Sequence, residues 1–161
     1  MPTTSLLDQP LVALLHWHAL DLDGCGLAAL PPWIGQFPNL AALSLYRNQL
    51  ADLPPSLWQL TGLRTLNLAD NRLAALPEGI GSLSNLHMLD LGHNQLAALP
   101  PALGNLRRLQ FLYLADNQLD TLPDALGSLA SLRYLNCASN RLAALPAELG
   151  KLANLVELRL Y

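Results

Sequence analysis

Residues 63–85 read LRTLNLADNRLAALPEGIGSLSN, and this stretch decides the fold because its pattern returns every 23 residues. Self-similarity at a fixed period of this length indicates a stack of identical structural units. The repetition explains why 45 of the 161 residues are leucine. The asparagine column is the clearest: Asn48, Asn71, Asn94, Asn117 and Asn140.

Each part of the unit predicts a local structure. Leu66 and Leu68 alternate with polar residues, as in a short strand with one buried face, and strands stacked at a constant offset run parallel. Asn71 follows the strand, where its amide can bond backbone groups left open by the bend. The Leu76-Pro77 step ends that bend, and the residues after it suit a short helix or 3₁₀ turn.

The unit resembles the leucine-rich repeat, L-x-x-L-x-L-x-x-N-x-L followed by x-x-L-P-x-x-Φ-G-x-L, over residues 17–161. The resemblance implies an α/β fold: a right-handed solenoid with short parallel strands on the concave face and short helices or 3₁₀ turns on the convex face. Residues 1–16 are predicted to be a capping half-repeat. Residues 17–161 then form six full units plus a final strand that stops at Tyr161. We expect either that the natural chain continues past this residue or that a homodimer covers the end.

Composition narrows the classes of partner. The net charge of −3 argues against an electrostatic nucleic-acid binder. The longest apolar run, Leu11 to Leu15, is far shorter than a membrane span, so no membrane association is expected. The first residues lack the basic and apolar regions of a secretory signal, which predicts a cytoplasmic protein.

No catalytic motif is present, so we predict a protein that is not an enzyme and has no cofactor or metal site. Cys25 and Cys137 stand at repeat positions expected to be buried, which predicts two free thiols. Trp17 and Trp58 replace repeat residues and are expected to pack on the core or cap an end. His93 shares a column with Asp70 and Asp116, which predicts a polar edge, with a metal or pH-sensing role as the alternative.

The strand residues that point away from the core predict the binding surface. Met88, Phe111, Tyr113 and Tyr134 fall on three successive strands and are expected to be exposed together. The alternative is that these side chains only stabilise the sheet as cross-strand neighbours. The proposed contact residues are Tyr46, Met88, Asp90, Phe111, Tyr113, Arg133 and Tyr134.

These observations predict a protein-interaction module that binds a protein or peptide partner on its concave face. The 23-residue repeat resembles those of intracellular scaffolds of the Ras-suppressor and Scribble type, of bacterial translocated effectors and of Roco GTPases. Alanine-rich filler such as Ala74-Ala75 suggests a GC-rich genome and hence a bacterium. One alternative is the recognition part of a larger enzyme or of an effector that acts in the host cytoplasm. Another is a structural or consensus repeat without a ligand.

Overall fold

The computed structural model describes residues 16–161, in which seven three-residue strands form one parallel sheet. The strands pair in sequence order with a constant offset, so that Leu43 faces Leu66 and Leu66 faces Leu89. The predicted leucine-rich repeat solenoid is therefore confirmed. The strands are β1 (Ala19–Asp21), β2 (Ala42–Ser44), β3 (Thr65–Asn67), β4 (Met88–Asp90), β5 (Phe111–Tyr113), β6 (Tyr134–Asn136) and β7 (Glu157–Arg159).

A five-residue 3₁₀ turn follows each strand from β1 to β6 on the convex side. In each turn a proline carbonyl accepts a bond from the amide three residues later, as Pro77 does from Ile80 at 3.1 Å. Five residues are too few to offset the cost of nucleating an α-helix, so the tighter turn forms instead. The turns are Pro32–Gln36, Pro55–Gln59, Glu78–Ser82, Pro101–Asn105, Asp124–Ser128 and Ala147–Lys151.

Leucine side chains from the strands and turns form one continuous core between the two sides. At its N-terminal end, Trp17 stacks on Phe37 with ring centroids 5.8 Å apart, and Trp33 lies 5.9 Å from the same ring. Trp17 and Trp58 are both half-buried against the core, as predicted. Cys137 is 1 % exposed at a position where other units carry leucine.

The asparagine column ties each unit to the one before it. Asn71 donates from Nδ2 to the carbonyl oxygens of Leu45 at 2.9 Å and Leu68 at 3.1 Å, and its Oδ1 accepts from the Leu50 amide at 3.0 Å. Asn48, Asn94, Asn117 and Asn140 repeat this arrangement. Each side chain thus satisfies backbone groups that the bend leaves without strand partners.

The residue before each of these asparagines has a left-handed backbone. This conformation is uncommon outside glycine, yet five residues other than glycine adopt it here because the chain must turn sharply as it leaves the sheet. The residues are Arg47, Asp70, His93, Asp116 and Ser139, with φ between 51° and 55°. Gly24 takes the same place in the first unit, at φ 63°.

Two expectations concern the N-terminal end. The predicted capping half-repeat lies, apart from His16, outside the described residues. Cys25 and Cys137 are both free thiols, as predicted, but Cys25 is exposed and the expectation that it is buried is wrong. Cys25 stands in the asparagine column. In later units the asparagine of this column bonds the backbone of the preceding unit, whereas Cys25 belongs to the first unit of residues 16–161.

Within residues 16–161, no helix has the length and apolar character needed to cross a membrane.

Candidate functional site

The predicted contact residues gather mainly on β4, β5 and β6, in the middle and C-terminal part of the concave face. The register places Met88 beside Phe111 and Phe111 beside Tyr134. Asp90 faces Tyr113 in the neighbouring column. We call Met88, Phe111, Tyr113 and Tyr134 the aromatic cluster.

The members of the aromatic cluster differ in exposure. Phe111 is 37 % exposed, which is high for a phenylalanine held in a strand. Met88, Tyr113 and Tyr134 are half-buried, so the expectation that all four side chains are exposed together is wrong. The reason is mutual packing, since the rings of Tyr113 and Tyr134 lie 5.1 Å apart at 42°.

A depression of about 250 Å³ lies beside Phe111 on the C-terminal side of the cluster. Its other lining residues are Arg133, Tyr134, Val156 and Glu157. Val156 is not among the predicted contact residues; it is 76 % exposed and occupies a column where Arg64, Gln110 and Arg133 stand in other units. An apolar residue in a largely polar column is the signal that could have identified it.

The charged residues around this depression are partly paired with one another. Arg159 lies 2.6 Å from the Glu157 carboxylate, and its guanidinium is 5.5 Å from the centre of the Tyr134 ring. Arg133 is exposed and forms no ion pair with any carboxylate of residues 16–161. The depression thus combines an aromatic wall, an aliphatic residue and one unpaired positive charge.

Tyr46 lies apart from the aromatic cluster. It follows β2, two strand steps from Met88 on β4 and three from Phe111 on β5, or roughly 10 and 14 Å at ~4.8 Å per step. Its ring is 36 % exposed, and the Arg47 guanidinium sits 5.7 Å from the ring centre. The structure therefore does not bring Tyr46 together with the other predicted contact residues.

A second depression of about 290 Å³ covers the N-terminal half of the concave face. Small side chains such as Ala19, Ala42 and Ser44 line it, and Met88 closes its far end. Side-chain size thus increases along the sheet, from a trough over β1 to β3 to the aromatic cluster on β4 to β6.

The last residue of most strands caps the backbone on the same face. The carboxylate of Asp90, for example, accepts a bond from the Gly92 amide at 2.9 Å. In the second unit, where Ser44 holds the capping position, Asp23 of the previous unit bonds the Tyr46 amide at 2.8 Å instead. Asp21, Asn67 and Asn136 cap their own units in the way that Asp90 does.

The fifth unit departs from this arrangement. Tyr113 holds the capping position, and its side chain reaches over Tyr134 instead of bonding the backbone. Within residues 16–161, the Ala115 amide has no hydrogen-bond acceptor. Ala115 is half-buried, as is its capped counterpart Ala138, whereas Ala69 and Gly92 are buried, so Ala115 lies in the less covered part of this column.

Two groups in this region have shifted pKa values. Partial burial raises the pKa of Asp90 above the ordinary 3.8, although the Gly92 amide and the charge of His93 oppose the shift. Burial likewise raises the pKa of Tyr113, and Tyr134 and Asp90 raise it further. In both groups burial is the largest cause of the shift, because it disfavours the charged form.

His93 lies on the edge of the sheet beside this surface. Its Nε2 is 3.5 Å from the Asp116 carboxylate, whereas Asp70 pairs with Arg47 at 3.4 Å. His93 therefore has one acidic partner and not two. Among the described residues, no group of three or more histidine, cysteine, aspartate or glutamate side chains is placed to hold a metal ion.

Comparison with known proteins places this geometry in a family. A model described as "Leucine-rich repeat region" matches residues 56–161, and one described as "Leucine rich repeat" matches residues 18–73. A search of curated proteins found no match.

Several solved structures are similar to the chain. A leucine-rich repeat protein of Leptospira interrogans is 35 % identical over 83 % of this chain and 40 % of its own, with a TM-score of 0.62. The Arabidopsis receptor kinase HAESA, solved with the peptide hormone IDA and the co-receptor SERK1, is 31 % identical over 88 % of this chain, with a TM-score of 0.79. The plant peptide hormone receptor RGFR1, in complex with RGF2, is 28 % identical over 95 %, with a TM-score of 0.76.

The chain spans only part of these relatives, covering 25 % of the HAESA chain and 26 % of the RGFR1 chain. Their repeats nevertheless align with most of the present sequence, and both family models cover its strands and turns. The chain belongs to the leucine-rich repeat family.

Proposed function

We propose that this chain is a binding module, and not a catalyst, that holds a protein or peptide partner on its concave face. The observation that supports the proposal best is the 37 % exposure of Phe111 beside an accessible depression in the centre of the C-terminal half. An apolar ring held rigidly in a strand binds with little loss of conformational entropy.

The rest of the face suits a peptide or an extended loop better than a small molecule. Both depressions are shallow and open, and they lie side by side along the sheet. The relatives HAESA and RGFR1 were solved with peptide hormones or ligands bound, which is consistent with this class of partner. Arg133 at the rim favours a partner segment that carries a negative charge.

The test compares the wild-type chain with a Phe111→Asp, Tyr134→Asp double variant in binding to a displayed library of random heptapeptides. Wild-type chain that enriches particular sequences, with at least tenfold weaker binding by the variant, is the expected result. The matched control is Ala130→Asp, Ala147→Asp, which adds the same charge at exposed convex positions. Asp124 already stands in the column of Ala147, so this control should fold. Equal binding by wild type and both variants would reject the concave face as the contact surface.

A further inference from the structure

We propose that the Ala115 backbone amide is a specific hydrogen-bond donor for the partner, which places an acceptor oxygen of an extended segment beside the aromatic cluster. This inference rests on the proposed binding function and names one polar contact within that surface.

Among the described residues, two units leave this amide open: the fifth, and the seventh, where Arg159 holds the capping position and Tyr161 is the last residue. The corresponding amides of Ala69, Gly92 and Ala138 donate to carboxylate or amide oxygens at 3.0, 2.9 and 3.1 Å. Even the second unit, whose own strand ends in serine, receives a cap from Asp23. The fifth unit has no such replacement within residues 16–161, although asparagine at position 113 would supply one.

A backbone donor without an acceptor lowers stability unless water or a ligand satisfies it. Tyr113 therefore gives up a structural hydrogen bond and contributes instead a ring to the aromatic cluster. Local departures of this kind, where another residue would serve the fold better, are expected at functional sites. Because Ala115 is half-buried and not fully covered, its amide can be reached by a molecule bound beside that ring.

The spacing defines the segment that would bind. Ala115 lies four residue steps after Phe111, which corresponds to at most roughly 13 Å along an extended chain at ~3.3 Å per residue. A partner that inserts a side chain beside Phe111 therefore reaches Ala115 with a carbonyl or carboxylate oxygen about four residues away. This favours an extended segment that runs along β5 over a single compact group.

The first measurement tests the structural premise in the unbound chain. Amide hydrogen exchange, followed by ¹⁵N NMR, should show Ala115 exchanging at least tenfold faster than Ala69, Gly92 and Ala138. In a Tyr113→Asn variant the new side chain should cap Ala115 and slow its exchange, whereas Tyr113→Ala should leave it fast. Protection of Ala115 equal to that of Ala138 in the wild type would overturn the inference.

The second measurement uses a synthetic heptapeptide selected from the displayed library for binding to wild type and not to the Phe111→Asp, Tyr134→Asp variant. Tyr113→Ala and Tyr113→Asn both remove the ring, and only the asparagine occupies the amide. The peptide should bind Tyr113→Asn about two- to tenfold more weakly than Tyr113→Ala, as expected for one hydrogen bond. It should also shift the Ala115 amide resonance.

The outcomes separate this inference from the proposed function. If the peptide binds both Tyr113 variants equally and leaves the Ala115 resonance unchanged, the donor role is wrong and concave-face binding stands. If no heptapeptide distinguishes wild type from the Phe111→Asp, Tyr134→Asp variant, the proposed function fails and the inference fails with it.

Discussion

Trp58 and Gly79 form a compensated pair on the convex side, and this pairing allows a sharp test of the packing. Trp58 occupies a column that is glycine in the neighbouring units, and its ring lies directly over Gly79. A Cβ atom at Gly79 would sit 2.1 Å from Trp58 Cδ1 and 2.5 Å from Cγ. Ordinary carbon contacts are ~3.5–4.0 Å, so the ring would have to move by more than an ångström. Gly79→Ala should therefore lower the free energy of unfolding by about 1–3 kcal/mol.

A second substitution, Trp58→Gly, removes the ring that blocks the new Cβ atom and completes a double-mutant cycle. In the neighbouring units a glycine faces an alanine, as Gly104 faces Ala125, so Trp58→Gly with Gly79→Ala recreates a pairing that the fold already uses. In the Trp58→Gly background, Gly79→Ala should cost nothing, or stabilise by up to about 1 kcal/mol through the entropy of the unfolded chain. The coupling between the two sites is then about 1–3 kcal/mol in favour of the double variant.

Urea unfolding followed by circular dichroism measures all four proteins of the cycle. Gly150→Ala is the matched control because no atom lies within 4 Å of the added Cβ, and it should shift stability by less than about 0.5 kcal/mol. Gly104→Ala is the control for a clash that cannot be compensated. Its Cβ would lie 2.5 Å from the Ala125 carbonyl oxygen, and because that atom belongs to the backbone, no side-chain replacement removes the clash. Additive effects of Trp58→Gly and Gly79→Ala would refute the compensation.

Three further predictions follow from the interior and the concave face. Asn94→Ala removes bonds to buried backbone groups of two units and should destabilise by about 2–5 kcal/mol. Asn85 is half-buried and its two bonds, to the Thr61 carbonyl and from Arg108, lie at the surface, so Asn85→Ala should cost only ~1 kcal/mol; urea midpoints measure both variants. A thiol reagent at pH 8 should label Cys25 in the native chain but Cys137 only in denaturant. The reason is that burial shields the Cys137 sulfur and raises the pKa of its thiol to about 12. Labelling of both cysteines in the native chain would contradict this. Asp90→Asn keeps the capping acceptor but removes the partly buried charge, so it should raise the free energy of unfolding at pH 7. Because the pKa of native Asp90 is raised, the carboxylate becomes neutral as the pH falls towards 3.8, and the difference in stability between variant and wild type should shrink. A difference that does not change with pH would exclude the burial effect.

The strands and their register could be predicted from the sequence because the repeat encodes them redundantly. Leu66 and Leu68 alternate, the same pair recurs 23 residues on, and the observed strand Thr65–Asn67 lies where that alternation falls. A constant offset in sequence becomes a constant register in the sheet, since every unit buries the same positions against its neighbour.

Exposure within the aromatic cluster could not be predicted in the same way. Alternation places Tyr113 and Tyr134 on the outer face, but how much of each ring remains accessible depends on their packing against one another at 5.1 Å. That contact links residues 21 positions apart through their rotamers, and no column of the repeat reports it. The exposure of Cys25 was missed for a related reason, because repeat position alone does not say which neighbour covers a residue at the end of the stack.

Residues that depart from the repeat pattern are of two kinds: those for which a neighbouring residue compensates, and those for which none does. Where Trp58 replaces glycine, Gly79 makes room for it, and where Ser44 replaces the usual Asp or Asn cap, Asp23 accepts the bond from the Tyr46 amide instead. These departures are compensated, so they need no explanation beyond stability. The replacement of a cap by Tyr113 has no compensation within residues 16–161, and it falls in the unit that also exposes Phe111. Because an uncompensated loss of a hydrogen bond weakens the fold, its coincidence with the exposed ring argues that the fifth unit is shaped by binding and not by packing alone.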